Sequence, residues 1–249
     1  MYGSFSPSGS TKRTPSAFPA VEGSDPPRRP RIHADPSRER LATSATVVTA
    51  VRTVGSVILA GLAAYQGNLA LLVLALAVYW IGDSLDGFVA RVRDCETRTG
   101  AVLDILCDRL CCAAFYVGLA WMEPHLVPAI FVYLAEFMVV DFFISIGFLA
   151  WPITSPNYFY VVDRTLFLWN WSKPGKTLNS ALFAVLLLVT SSMPLGSVVA
   201  VGLLVIKLVS FRRMLRIGLP IPSVALPELA PAGATHDPVR SRQGSWQPV

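Results

Sequence analysis

Long apolar runs fill the chain between Leu41 and Phe211, and they decide the solvent in which it folds. A helix that crosses a bilayer needs about 20 mostly apolar residues. Runs at about 41–65, 69–82, 100–121, 127–151 and 177–191, and a last one ending near 211, meet or approach that length. The run at 69–82 is short, and its helix is expected to continue through polar residues to Arg91. Charged residues make up only 15% of the chain and mean hydropathy is +0.52, whereas soluble domains carry about 25% charged residues. The expected fold is all-α: a polytopic membrane protein with six transmembrane helices and both termini on the same, cytoplasmic side.

Charge placement gives the orientation. Arg91, Arg93, Arg98, Arg164, Lys173, Lys176, Arg212, Arg213 and Arg216 fall in the loops and tails of one face, and the opposite turns near Gln66, Glu123 and Met193 contain no Lys or Arg. Cytoplasmic loops carry the excess of basic residues, so the first face is expected inside the cell. Residues 1–34 are rich in Ser, Pro, Gly and Arg without apolar periodicity, and 217–249 are Pro-rich. Both are expected to be disordered tails flanking a membrane domain at 35–216, because such composition cannot offset ordering entropy. The arginines Arg28, Arg29, Arg31, Arg38 and Arg40 form a basic arm suited to anionic lipid head groups. Asp35 followed by Pro36 predicts a helix start and a juxtamembrane helix through SRERLATSA.

Inside this apolar setting lies DSLDGFVARVRDCETRTGAVLDILCD, residues 83–108. Positions three, four, seven and eight apart share a helix face. Asp83, Asp86, Gly87, Ala90 and Arg91 therefore line one stripe of a first helix, and Gly100, Asp104 and Asp108 line a stripe of a second. The polar segment between them can turn the chain so that the stripes face each other and four carboxylates converge. A carboxylate at a bilayer centre costs roughly 2.5–3.5 kcal/mol on insertion scales, and four together repel one another unless cations intervene. Hard divalent cations with oxygen ligands and substrate phosphates are the natural partners.

The spacing D-x-x-D-G-x-x-A-R, eight residues, then G-x-x-x-D-x-x-x-D resembles the signature of the CDP-alcohol phosphotransferases, membrane enzymes that build phospholipid head groups from a CDP-linked donor. All eight positions match. The resemblance implies a transfer that releases CMP. It implies Mg²⁺ or Mn²⁺, two ions, held by Asp83, Asp86, Asp104 and Asp108, with Asp108 as general base. It also implies a CDP-linked lipid donor, CDP-diacylglycerol, a small alcohol acceptor, a bacterial cell membrane with the active site facing the cytoplasm, and a homodimer. No nucleic-acid partner is expected. Gly87, Ala90, Arg91 and Gly100 are the expected donor-binding positions.

Upstream, Thr46, Thr49 and Arg52 stand three apart, and family members resemble this with Asn, Thr and Arg. Thr49 and Arg52 join the donor-binding set, although Arg52 would serve equally as the partner of an intramembrane acid. Lys173, Lys176 and Thr177 open the run at 177–191, where a helix N-terminus binds anions. Lys173 and Lys176, with Arg164 and Arg212, are candidates for a phosphate on the acceptor. The acceptor is expected to be a phosphorylated polyol, inositol phosphate or glycerol phosphate. The sequence GAVLDILCD lacks the Pro that often follows the third Asp in glycerophosphate-type members. Glu136 and Asp141, five residues apart, are expected well separated around their helix, with Arg52, Arg109 and Lys207 as available cations. The four cysteines and three histidines show no metal-ligand spacing. The competing class is a transporter or channel that passes divalent cations along the same carboxylates. Against it, the acids cluster at one membrane face.

Overall fold

The computed structural model describes residues 32–219. Within these the regular structure is helical apart from one isolated bridge between His33 and Ile153. α1 (Ser44–Gln66), α2 (Leu69–Val92) and α3 (Arg98–Met122) come first. A fourth long helix, Pro124–Ala150, contains α4 (Val127–Ala135), a π-helical turn at Glu136–Asp141 and α5 (Phe142–Ile146). A loop with a 3₁₀ segment (Pro156–Val161) leads to α6 (Arg164–Asn170) and α7 (Lys173–Lys176). A second π-turn (Thr177–Ala181) joins α7 to α8 (Leu182–Thr190), and α9 (Met193–Ile217) closes the bundle.

Four of these helices are long and apolar enough to cross a membrane: Ser44–Gln66, Leu69–Val92, Pro124–Ala150 and Met193–Ile217. The expected spans at 100–121 and 177–191 also form helices but are not among the four. α3 has 25 residues, about 37 Å at 1.5 Å per residue, so length is not what separates it. Arg98, Asp104, Asp108 and Arg109 crowd its first half. The run at 177–191 is divided by its π-turn, which leaves α8 only nine residues.

The packing follows membrane logic. α1 turns Thr49, Arg52, Thr53, Ser56, Ala60 and Ala63 inward, while Val47, Val51, Val54 and Ile58 face out. Without a hydrophobic drive between helices in lipid, small and polar residues line the contacts and branched apolar ones meet the tails. α1 accordingly lies against α2 and α3, with Ser56 Oγ donating to the Ala75 carbonyl at 3.0 Å. The turn between α1 and α2 is closed by Gly67 in the left-handed region (φ 62°), where glycine has no Cβ penalty. Asn68 then caps α2 through Leu71 N–H at 3.1 Å. Tyr116, Tyr133 and Phe183 stack at the end away from the aspartates, with ring centroids 4.4–5.5 Å apart. Phe148, Phe159, Trp171 and Met214 fill the bundle at the aspartate end.

The N-terminal approach differs from the expected helix. Asp35 does cap, accepting from Ser37 N–H at 3.0 Å, but only one 3₁₀ turn, Pro36–Arg38, forms. Glu39 is extended (ψ 114°), because its carboxylate caps α3 instead. It accepts from Arg98 N–H at 3.0 Å, Thr99 N–H at 3.1 Å and the Thr99 hydroxyl at 2.9 Å. Earlier still, Ala34 N–H donates to Pro152 O at 3.1 Å and Thr154 N–H to Ile32 O at 2.9 Å. Residues 32–34 thus bond to the loop at 152–154. The remainder of both expected tails, 1–31 and 220–249, lies outside the described residues.

Burial alone would raise the Glu39 pKa, but the bonds from Arg98 and Thr99 outweigh it and hold the carboxyl below its ordinary value of 4.5. A lowered folded-state pKa means that the stabilisation is present at neutral pH and fades as pH falls through the folded value. Glu39→Gln should therefore speed amide hydrogen exchange across 36–42 at pH 7, and variant and wild type should converge in acid. Equal exchange at pH 7 would show that the strap is held by its other contacts.

Candidate active site

α2 and α3 bring their two stripes together as the spacing requires. One ligand oxygen each from Asp83, Asp104 and Asp108 lie within 4.8 Å of one another. Arg52 enters this cluster from α1. Its Nε donates to Asp86 Oδ2 at 2.7 Å, and its Nη2 donates to Asp104 Oδ1 at 2.5 Å and Asp108 Oδ1 at 2.8 Å. Asp83 Oδ1 stands 3.7 Å from the same nitrogen. Thr49 adds a bond to Asp86 Oδ2 at 2.9 Å. Asp86 is therefore the buried member, fixed by Thr49 and Arg52, while Asp83 and Asp104 keep more than a third of their side chains exposed.

Three hard oxygen donors this close suit a divalent cation such as Mg²⁺ or Mn²⁺, so the residues present fit the expected metal. Arg52 alone leaves the four carboxylates undercompensated, which favours further positive charge at the same place.

Gly82, which sequence reasoning missed, makes the Arg52 insertion possible. A Cβ there would lie 2.5 Å from Arg52 Cβ and 2.6 Å from its Cδ. The expected glycines have local reasons as well. A Cβ on Gly87 would sit 3.3 Å from Arg91 Nη1, so Gly87 makes room for that guanidinium. At Gly100 a Cβ would come within 2.9 Å of Thr97 Oγ1, the hydroxyl that caps α3 by accepting from Gly100 N–H at 3.0 Å.

Two clefts open off the cluster. The first is lined by Thr46, Thr49, Asp86, Gly87, Ala90, Arg91, Gly100 and Asp104. This gathers the expected donor-binding residues except Arg52, which lies buried beneath them. The second is lined by Asp83, Asp104 and Asp108 and by Arg109, Asp141, Lys176 and Lys207. Of the four expected acceptor-phosphate residues only Lys176 lines it. Arg164, Lys173 and Arg212 are exposed and line neither cleft.

Ser155 and Asn157 line both clefts, and no motif marks them. Nearby, Tyr158 donates to Glu96 at 2.6 Å. Burial, followed by that hydrogen bond, pushes its phenol well above the ordinary tyrosine range. Glu136 and Asp141 are not splayed apart as expected. Residues five apart sit roughly 140° apart on an α-helix, but the π-turn bonds i to i+5, and both are buried. Asp141 pairs with Arg109 and Lys207, whereas Arg52 is committed to the aspartate cluster.

A bundle containing helices long and apolar enough to cross a membrane gathers three carboxylates that could hold a metal ion at the junction of two clefts. The sequence model of the CDP-alcohol phosphatidyltransferase family matches residues 42–211, and the chain belongs to that family. The chain is similar to "Phosphatidylinositol phosphate synthase" of Mycolicibacterium smegmatis, 37% identical over 73 residues, 27% of this chain and 33% of that protein. The protein of the same name from Mycobacteroides abscessus is 46% identical over 48 residues, 19% of this chain and 22% of its own. That of Mycobacterium tuberculosis strain H37Rv is 54% identical over 39 residues, 16% and 18%. The chain thus spans a third or less of the length of these curated relatives. No solved structure matches the chain.

Proposed function

We propose that the protein transfers the phosphatidyl group of CDP-diacylglycerol to a hydroxyl of a phosphorylated polyol and releases CMP. Inositol phosphate is favoured over glycerol phosphate as acceptor, on the names of the mycobacterial relatives. The observation that carries this reading is the meeting of Asp83, Asp104 and Asp108 within 4.8 Å where the two clefts join. One cleft takes the donor and the other the acceptor, so both substrates reach the same carboxylates.

In the reaction the acceptor oxygen bonds to the phosphatidyl phosphorus, the bond from that phosphorus to the CMP oxygen breaks, and CMP leaves with the electron pair. Asp108 takes the acceptor proton. One or two Mg²⁺ or Mn²⁺ ions, held by Asp83, Asp86, Asp104 and Asp108, would supply charge neutralisation on the pyrophosphate. Arg91, over Gly87, adds positive charge beside the donor phosphates. Arg52 keeps the four carboxylates gathered and oriented, and Thr49 locks Asp86. Phosphoryl transfer needs this positioning and neutralisation more than covalent help. The acids gather at one place, and cations line the same cleft, an arrangement that suits two substrates better than a cation path.

The basic face supports six spans with both termini cytoplasmic in a bacterial cell membrane, α3 and residues 177–191 completing the count. A single assay tests chemistry and sidedness. Inverted and right-side-out vesicles containing the protein and radiolabelled CDP-diacylglycerol are supplied with inositol phosphate, glycerol phosphate or unphosphorylated inositol. Metal-dependent CMP release with inositol phosphate, in inverted vesicles, is the expected result. Release with none of the acceptors refutes the reaction, and release only in right-side-out vesicles refutes the orientation.

A further inference from the structure

Two hydrogen-bonded groups of opposite character line the second cleft, one acidic around Arg52 and one basic around Asp141, and α3 supplies both from adjacent residues. Asp108 joins the carboxylate cluster. Arg109, the next residue, joins the second group, where its Nη2 donates to Asp141 Oδ2 and, at 3.0 Å, to Ser145 Oγ. Its guanidinium lies 3.9 Å from the centre of the Phe137 ring. The other Asp141 oxygen accepts from Lys207 Nζ at 2.5 Å, and Lys207 also donates to Asn170 Oδ1 at 2.9 Å. Asn170 is held in turn by Ser210 Oγ at 3.2 Å. Four separate elements thus meet around one carboxylate.

These charges lie deep. Arg98 reaches the Leu149 carbonyl at 2.5 Å, and Met214 packs on Gly147, so the start of α3 and the ends of Pro124–Ala150 and α9 share a face. Counted from those ends, Arg109, Asp141 and Lys207 all lie about 14–17 Å in, at 1.5 Å per residue. A buried ion pair is weak evidence for stability, since an apolar replacement often does as well. Ionisable groups at this depth mark a functional site by default. On the cleft surface the basic group presents Arg109, Lys207 and Lys176 against the single acid Asp141, and Glu136 does not line the cleft. Arg109 also keeps its Nε without a partner although the residue is 9% exposed.

We propose that Arg109 and Lys207, clamped by Asp141, form the anion-binding floor of the second cleft and select an acceptor that bears a phosphate besides its reacting hydroxyl. Asp141 is a positioning residue: it keeps two long cationic side chains extended toward the cleft rather than toward lipid head groups. The acidic group repels the same anion, so an acceptor lying across the cleft has one orientation, phosphate on the cations and hydroxyl toward Asp108. Exposed Arg164, Lys173 and Arg212 act in screened water, where each contributes little. The proposal rests on reading this cleft as the acceptor site, and its test includes a measurement independent of turnover.

The purified full chain, in detergent with CDP-diacylglycerol, is titrated with inorganic phosphate while its thermal midpoint is followed. The variants are Lys207→Met, Arg109→Gln, the charge-paired double Asp141→Asn/Lys207→Met, and the surface pair Lys173→Met and Arg212→Met. Phosphate should raise the midpoint of wild type and of both surface variants, and the response should vanish in the variants of the basic group. The double variant removes one charge of each sign and guards against misfolding from an unpaired acid. Where turnover is measurable, Lys207→Met should raise KM for the phosphorylated acceptor at least tenfold with kcat and donor KM within threefold. A wild type unmoved by phosphate, or a response lost from the surface variants and kept in Lys207→Met, overturns the proposal. Phosphate stabilisation without CMP release from any acceptor would instead sink the proposed reaction and leave the anion site standing.

Discussion

Asp108→Asn is expected to cut turnover by about 10²–10⁴-fold, the usual range for loss of a general base, while donor binding survives. The asparagine is nearly the same shape and still presents an oxygen to Arg52 Nη2, which sits 2.8 Å from Asp108 Oδ1. What it cannot do is take a proton from the acceptor. Asp83→Asn is different in kind, because it removes charge from the three-oxygen cluster without removing a base, so donor and metal affinity should fall along with turnover. Equilibrium binding of CDP-diacylglycerol and single-turnover CMP release, measured on both variants, separate the two roles. If Asp108→Asn loses donor binding as severely as Asp83→Asn, Asp108 acts as a ligand alone and the base lies elsewhere.

The second large effect belongs to Arg52. It meets Asp86, Asp104 and Asp108 through hydrogen bonds of 2.5–2.8 Å and is almost wholly buried. Breaking a buried ionic network by removing one partner typically costs about 3–5 kcal/mol, and here four acids lose their shared cation. Arg52→Met should unfold at a clearly lower temperature than wild type in the presence of a chelator, with part of the loss restored by Mg²⁺ or Mn²⁺. Arg52→Lys should fall between them, since a single ammonium cannot reproduce the Nε and Nη2 contacts of the fork. Gly82→Ala reaches the same site by a steric route, because its Cβ would stand 2.5 Å from Arg52 Cβ, and overpacking costs about 1–3 kcal/mol. An Arg52→Met protein as stable as wild type without metal would show that the carboxylates do not need this cation.

The aspartate stripes were legible in the sequence because helical periodicity is a local property, and three- and four-residue spacing alone places side chains on one face. The same holds for the turn at Gly67 and Asn68, which is built from its own residues. What was hidden depends on partners far along the chain. Glu39 reads as part of a juxtamembrane helix until Arg98 and Thr99 compete for its carboxylate. Gly82 looks like any small residue before Asp83, and its function appears only when Arg52 is threaded past it. Ser155 and Asn157 reach both clefts from a loop whose path no periodicity encodes. The π-turn at Glu136–Asp141 defeated the helical count itself, since one altered hydrogen-bond pattern brings two acids to the buried side. Basic residues near the mouth of the cleft were visible as charges, but only the folded path of the chain separates Lys176, which lines it, from Lys173 and Arg212, which do not, although all three are exposed.

Arg52 among Asp83, Asp86, Asp104 and Asp108 also fixes an electroneutrality condition. With every carboxylate ionised, that set holds three more negative than positive charges, and Arg91 at the rim of the donor cleft reduces the excess to two. One divalent ion would neutralise that excess, and the proposed second would overshoot it by two. A diphosphate, with two negative charges, brings the assembly to zero. Two ions without the nucleotide, or the nucleotide without ions, miss that balance by two charges or more, and in surroundings this apolar such an imbalance is expensive. Each ligand therefore raises the affinity for the other by the same factor. In the proposed reaction the donor and a pair of ions would therefore enter and leave as one nearly neutral unit.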